Sequence, residues 1–137
     1  MDKARARGHS FPMRQIIATT KSPTSPLYSQ GVKAGQHVYV SGTVGIDVST
    51  GALTGPTIGE QTRQALANCE EVLKAGGATL ADVVEVGVLL ADPDDFAGMN
   101  EEYGAWFVEG WPARYVAKLG AVIPGVLVSI RMTAVVA

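Results

Sequence analysis

The last part of the chain alternates two kinds of residue, and this pattern restricts the possible folds more than any other. One set of alternate positions is wholly apolar and consists of Val126, Val128, Ile130, Met132 and Ala134. The set between them is mixed and consists of Leu127, Ser129, Arg131, Thr133 and Val135. Successive side chains of a strand point to opposite faces, so the pattern predicts a strand over Val126–Val136 with one buried face. Other elements must cover that face.

Five further segments are predicted to be strands because they are short and rich in β-branched or aromatic residues. They are Gln15–Ala18, Tyr28–Lys33, His37–Val44, Val83–Leu90 and Ala113–Leu119. The sequence Thr57-Ile58-Gly59-Glu60 has the form of a capping box and predicts a helix to about Ala75, where Gly76-Gly77 ends it. Apolar residues spaced by three and four predict a second helix, from Phe96 to about Val108.

The order β-β-β-α-β-α-β-β predicts one mixed six-stranded sheet with both helices on one face, an α/β (α+β) sandwich of two layers. The chain would leave the other sheet face uncovered, and its mixed composition suits contact with another subunit better than contact with water. We therefore expect a homo-oligomer. We also expect a single domain over residues 14–137, preceded by a flexible tail over residues 1–13.

Composition excludes several classes of function. The 137 residues carry only 11 lysines and arginines and a net charge of −2, so nucleic acid is an unlikely main partner. We expect a cytoplasmic protein without a membrane segment, because no apolar stretch reaches the length of a bilayer span and no secretion signal is recognisable. Cys69, the one cysteine, is in step with apolar helix positions and is predicted to be inert core.

Arg114 is the first candidate for a binding residue. It follows Trp111-Pro112-Ala113 at the start of a predicted strand, and Pro112 restricts the backbone close to it. A guanidinium there could bind a carboxylate through two parallel hydrogen bonds. The alternative is a local ion pair. Arg131, on a neighbouring strand, could enlarge this anion site and favour a dicarboxylic ligand, or it could pair with Glu85.

Several ordered segments resemble the reactive intermediate deaminase family (RidA/YjgF), also called endoribonuclease L-PSP. They are Tyr28-Ser29-Gln30-Gly31, Val40-Ser41-Gly42-Thr43, Glu60-Gln61-Thr62, Asp94-Asp95-Phe96, Met99-Asn100 and Pro112-Ala113-Arg114. The resemblance implies a chorismate-mutase-like fold of the bacillus type and a trimeric barrel with pockets between subunits. It also implies hydrolysis of small 2-imino or enamino acids to 2-keto acids and ammonia, without a metal or other cofactor.

The resemblance assigns a role to each candidate site residue. Arg114 would bind the substrate carboxylate, and the backbone carbonyl of Val116, where many members have a cysteine, would hold the attacking water. Tyr28 and Ser41 would supply hydroxyl groups to the pocket, and Asn100 would reach in from the neighbouring subunit.

Arg131 departs from the family pattern, which has a water-activating glutamate at the matching position. An arginine only donates hydrogen bonds and cannot accept the proton of the water. Deaminase activity is therefore expected to be weak unless another group substitutes. Three hypotheses remain: an imine deaminase with an altered, dicarboxylic substrate, a non-catalytic protein that binds small carboxylates, and a ribonuclease or translation inhibitor. The net negative charge argues against the ribonuclease or translation inhibitor.

Overall fold

The computed structural model describes residues 13–107 and 110–137. Within these residues the chain forms strands and α-helices in the following order, joined by short 3₁₀ turns at Leu80–Asp82 and Pro93–Asp95: β1 Arg14–Ile17, β2 Gly31–Ala34, β3 His37–Thr43, β4 Ile46–Asp47, β5 Ala52–Leu53, α1 Ile58–Ala75, β6 Val83–Leu90, α2 Phe96–Tyr103, β7 Ala113–Lys118 and β8 Val128–Val135. Residues 1–12 of the predicted tail lie outside the described part of the chain.

The main sheet has six strands in the order β1-β2-β3-β8-β6-β7. All neighbours are antiparallel except β6 and β7, which are parallel, so the predicted mixed sheet is confirmed. Helix α1 packs on β3 and β8, and α2 packs on α1. A parallel pair needs a crossover connection, and α2 lies in the one between β6 and β7. This crossover brings α2 close to the outermost strand.

Strand β8 has the two faces that its alternation predicts. Val128, Ile130, Met132 and Ala134 are completely buried against the helices. On the opposite face Arg131 is only partly buried and Val135 is exposed. The described residues place no helix on this face, because both helices are on the other side of the sheet.

Helix α1 begins and ends as its sequence predicts. The Thr57 side chain accepts a hydrogen bond from the Glu60 amide, and the Glu60 side chain accepts one from the Thr57 amide. The helix ends at Gly76, and Gly77 has a φ of 84°, which favours glycine. Cys69 is fully buried, and burial raises the pKa of its thiol to about 12. The predicted role of Cys69 in the core is confirmed.

The structure corrects three element boundaries by more than one residue. Helix α2 ends at Tyr103, before the expected Val108, which lies outside the described residues; Gly104 follows, and the amides of Ala105 and Trp106 bond three residues back in a tighter turn. The second strand begins at Gly31, because the residues from Tyr28 form a bend. The last strand covers Val128–Val135.

A small hairpin of β4 and β5 was not predicted. Each strand has only two residues, too few for a recognisable period. The hairpin is fixed to α1 by Asn68, whose amide nitrogen donates to the carbonyls of Val44 and Ile46.

Candidate active site

One face of α2 holds the Arg114 side chain. Phe96, Asn100 and Tyr103 are spaced by four and three residues, so they lie along one side of the helix. Asn100 Oδ1 accepts a hydrogen bond of 2.7 Å from Arg114 Nη1. The guanidinium carbon lies 4.8 Å from the centre of the Tyr103 ring and 5.9 Å from that of Phe96. We call these three side chains the arginine clamp.

The clamp fixes Arg114 and leaves most of its N–H donors available for a ligand. A guanidinium carries five N–H donors, and the bond to Asn100 uses one of them. Arg114 is exposed, so other donors can reach a ligand. Rings at these distances also stabilise the cation through their electron-rich faces. The arrangement suits a carboxylate that binds through two N–H groups.

Tyr103 is itself held in place by neighbouring rings. It is 5% exposed, its ring centre lies 5.2 Å from that of Phe107, and Trp111 stacks on it at 6.3 Å. Burial raises the pKa of the Tyr103 hydroxyl, and the positive charge of Arg114 partly opposes this shift. The ring is therefore a rigid, neutral support for the guanidinium.

Asn100 is in the same chain as the arginine that it contacts. The resemblance implied that Asn100 would enter the pocket from a neighbouring subunit. Within one chain the β6–α2–β7 crossover places α2 beside Arg114, so this contact needs no partner, and the role of Asn100 in a neighbouring pocket stays a prediction.

Arg114 and Arg131 lie on opposite faces of the sheet. Arg114 is in register with Val86 on β6, and Arg131 is in register with Gly87, the next residue along the same strand. Adjacent residues of a strand point to opposite faces. The two guanidinium groups of one chain therefore do not form the single anion site that the sequence suggested.

Arg131 has loosely held neighbours on the open face. Its Nη1 atom lies 4.0 Å from Glu85 Oε1 and donates a hydrogen bond of 3.3 Å to the Tyr115 hydroxyl. The Tyr115 ring lies directly over Gly87, in space that a Cβ atom would occupy. The side chains of Arg131 and Glu85 are 42% and 49% exposed, so their ion pair contributes little to stability. The predicted neighbour is correct, but the pairing is weak.

Tyr28 and Ser41 belong to a second, separate location. They line a small cavity of about 80 Å³ together with Gln30. Gln30 fixes the loop around it by donating to three backbone carbonyls, and Ser41 Oγ donates to the carbonyl of Ser29 at 2.6 Å. Two strands separate β3 from β7, which puts Ser41 about 14 Å from the Arg114 strand at a normal strand spacing, and Tyr28 lies beside Ser41. One chain does not bring them to Arg114.

Val116 lines an apolar cavity of about 370 Å³ beside the arginine clamp. The cavity is bounded by Leu90, Pro93, Phe96, Val116, Ala117 and Lys118. Sequence reasoning found Val116 but missed the cavity, because its walls come from two strands and a turn whose packing no local pattern shows. Phe96 belongs both to the cavity and to the clamp.

The described residues form neither a metal-binding cluster nor a membrane-spanning helix. In residues 13–107 and 110–137, no three side chains of His, Cys, Asp or Glu are grouped so that they could hold a metal ion. None of the helices in this same part of the chain is both long and apolar enough to cross a membrane.

The fold and the clamp define a small two-layer α+β protein with an arginine arranged to bind a carboxylate. Residues 19–136 match the family model of endoribonuclease L-PSP, so the chain belongs to that family, as the sequence resemblance predicted.

Known relatives of the chain carry several functional names. It is 41% identical over 124 residues to the 2-iminobutanoate/2-iminopropanoate deaminase of Mus musculus, covering 90% of this chain and 92% of the relative. A RutC family protein of Pyrococcus horikoshii is 40% identical over 124 residues, with 89% and 98% covered. The crystal structure of RidA from Psychrobacter matches with a TM-score of 0.83 and 36% identity, covering 89% and 99% of the two chains.

Proposed function

We propose that the protein hydrolyses small 2-imino and enamino acids to 2-keto acids and ammonia. The observation that carries the proposal is the Arg114 guanidinium, which is fixed by the arginine clamp and open to a carboxylate. The names of relatives such as the mouse deaminase support the same reaction.

The chemistry requires few groups. Water adds to the electrophilic carbon of the C=N bond, and the resulting amino alcohol loses ammonia to leave the C=O group of the keto acid. An enamine first takes a proton at carbon to become the imine. Arg114 would hold the carboxylate, and the backbone carbonyl of Val116, two residues along β7, would accept a hydrogen bond from the water. The water must also lose a proton to an acceptor.

Glu85 is the carboxylate that we propose as the acceptor in place of the expected glutamate at position 131. It is partly exposed on the open face, beside Arg131. That face is opposite Arg114 in one chain, so the two can serve one substrate only if they come from different chains.

A homotrimer with pockets between subunits fits this requirement, and we include it in the proposal. The predicted site residues of one chain lie at two separate locations, which a neighbouring chain could combine. The open face also exposes Tyr39, Tyr115 and Val135, side chains that favour burial against another surface. We further propose that the protein works in the cytoplasm.

The test is release of pyruvate from freshly generated 2-aminoacrylate, coupled to lactate dehydrogenase. We expect a rate above the uncatalysed background, and we expect Arg114→Ala to return it to background while Arg131→Ala does not. A wild-type rate equal to background would contradict the proposed reaction. Light scattering coupled to size-exclusion chromatography would test the trimer independently.

Arg131 favours a second candidate function, binding of small carboxylates without turnover. A group that only donates hydrogen bonds stands where the family resemblance places the acid. This candidate would be supported if turnover equals background, pyruvate nevertheless binds, and Arg114→Ala abolishes that binding. A dicarboxylic preference has no basis within one chain, since the two guanidinium groups are on opposite faces, and it would need Arg131 of a neighbouring chain beside Arg114. The ribonuclease hypothesis gains no support from the net charge of −2.

A further inference from the structure

The apolar cavity is placed to receive whatever projects from a carboxylate bound at Arg114. Arg114 and Val116 are two residues apart on β7, so they face the same side of the sheet and are about 7 Å apart along the strand. Phe96 lies under the guanidinium and also forms a wall of the cavity. The anion site and the cavity are therefore adjacent parts of one surface.

The walls of the cavity select an apolar group. Leu90, Phe96 and Val116 present only carbon atoms through their side chains, and Pro93 and Ala117 add more. Among the described residues that line the cavity, Lys118 is the single charged one, and its aliphatic stem can cover apolar surface while its ammonium group stays in water. A charged side chain deep in this cavity would lose hydration without gaining a partner.

The cavity is larger than the side chains of the smallest substrates. A water molecule occupies about 30 Å³ in the liquid, so about 370 Å³ has room for on the order of ten of them. The side chain of 2-iminopropanoate is one methyl group, which would leave most of this space filled with water. Longer apolar side chains would displace that water and bury more apolar surface.

We propose that this cavity is the side-chain subsite of the enzyme and that the preferred substrates are 2-imino acids with apolar side chains of about four carbons. The inference rests on the proposed function, since it names the substrate class of the same site. Each buried methylene favours binding by roughly fourfold, so three additional carbons are worth up to about 50-fold.

The experiment compares 2-imino acids that an amino-acid oxidase generates in place from alanine, norvaline, leucine and glutamate. Catalase removes the peroxide, and semicarbazide trapping measures the remaining imine. We expect kcat/KM for the leucine-derived imine to exceed that for the alanine-derived imine by about 10- to 50-fold. The glutamate-derived imine should be the poorest substrate.

Paired substitutions at Val116 test whether the cavity sets this preference. Val116→Phe fills the cavity and should lower the leucine-to-alanine ratio at least about fivefold, whereas Val116→Ala should move the optimum to longer side chains. Val48→Ala, an exposed valine on the β4–β5 turn, is the matched control and should leave the ratio unchanged. A second measurement needs no variant: 4-methyl-2-oxopentanoate should inhibit at lower concentration than pyruvate.

The outcomes separate this inference from the proposed function. Turnover of no imine would contradict the function itself. Turnover of the alanine-derived imine at least as fast as the leucine-derived one, with equal inhibition by the two keto acids, would overturn the subsite and leave the function standing. The glutamate-derived imine could instead be turned over faster than the leucine-derived one. If Lys118→Ala removed that advantage, the cavity would be shown to take a second carboxylate, which would also overturn the subsite.

Discussion

The two arginines on strands β7 and β8 have very different surroundings. Arg114 is held from one side by three residues of α2, through one short hydrogen bond and two ring faces. Arg131 has a distant carboxylate at 4.0 Å and one long hydrogen bond to Tyr115. Binding sites need side chains whose position is fixed before the ligand arrives. The comparison supports the proposal that Arg114 contacts the ligand, because its position is fixed in advance, while Arg131 is free to adopt other positions.

The largest expected difference is between alanine variants at these two positions. Arg114→Ala should lower kcat/KM for 2-aminoacrylate by at least about 100-fold, because it removes two charge-assisted hydrogen bonds to the substrate. Arg131→Ala should change it by less than about threefold, because a weakly held, half-exposed arginine contributes little. Steady-state kinetics measure both. Equal losses in the two variants would contradict the distinction.

Replacement of Arg131 by an acid should increase activity. Arg131→Glu adds a second carboxylate beside Glu85, at the position where the family resemblance has its glutamate, and a proton acceptor in the right position typically contributes about 100-fold or more. The neighbouring Glu85 would raise the pKa of the new carboxyl group toward neutral pH. Arg131→Gln is the matched control and should not accelerate the reaction. An unchanged rate in Arg131→Glu would mean that position 131 does not contribute the acceptor, and loss of activity in Glu85→Gln would then identify Glu85 as the acceptor.

The ring of Tyr103 should matter more than its hydroxyl. Tyr103→Phe keeps the ring under the guanidinium and should leave KM almost unchanged, whereas Tyr103→Leu removes it and should raise KM about 5- to 30-fold. The expected effect is mainly on KM, because the ring positions the carboxylate contact. Similar KM values for the two variants would show that the ring does not position Arg114. Thermal unfolding of both variants would reveal any general loss of stability.

The smallest expected effect concerns the pair on the open face. Glu85→Gln should change the free energy of unfolding by less than about 0.5 kcal/mol, since both partners are largely solvated. Urea denaturation measures this difference at equal protein concentration. A loss of more than about 2 kcal/mol would mean that the pair is far more strongly coupled than its geometry indicates.

Local patterns in the sequence predicted most of the fold but only part of the site. The alternation in the last strand fixed which residues of β8 are buried, and the capping box fixed the start of α1. The faces of Arg114 and Arg131 depend on how β7 and β8 each align with β6, and a shift of one residue would reverse either face. The residue pattern within one strand does not determine how that strand aligns with its neighbour. The contact between Asn100 and Arg114 depends on the same long-range packing.

The position of the Tyr115 ring over Gly87 restricts how this protein could change through evolution. Any side chain at position 87 would collide with the ring in its present position, so a substitution of Gly87 must displace the half-exposed Tyr115 side chain. Arg131 would then lose its hydrogen bond to the Tyr115 hydroxyl. Mutations at these three positions are therefore not independent: a substitution of the glycine also disturbs the arginine contact through the tyrosine, whereas the same substitution after the tyrosine has been shortened does not.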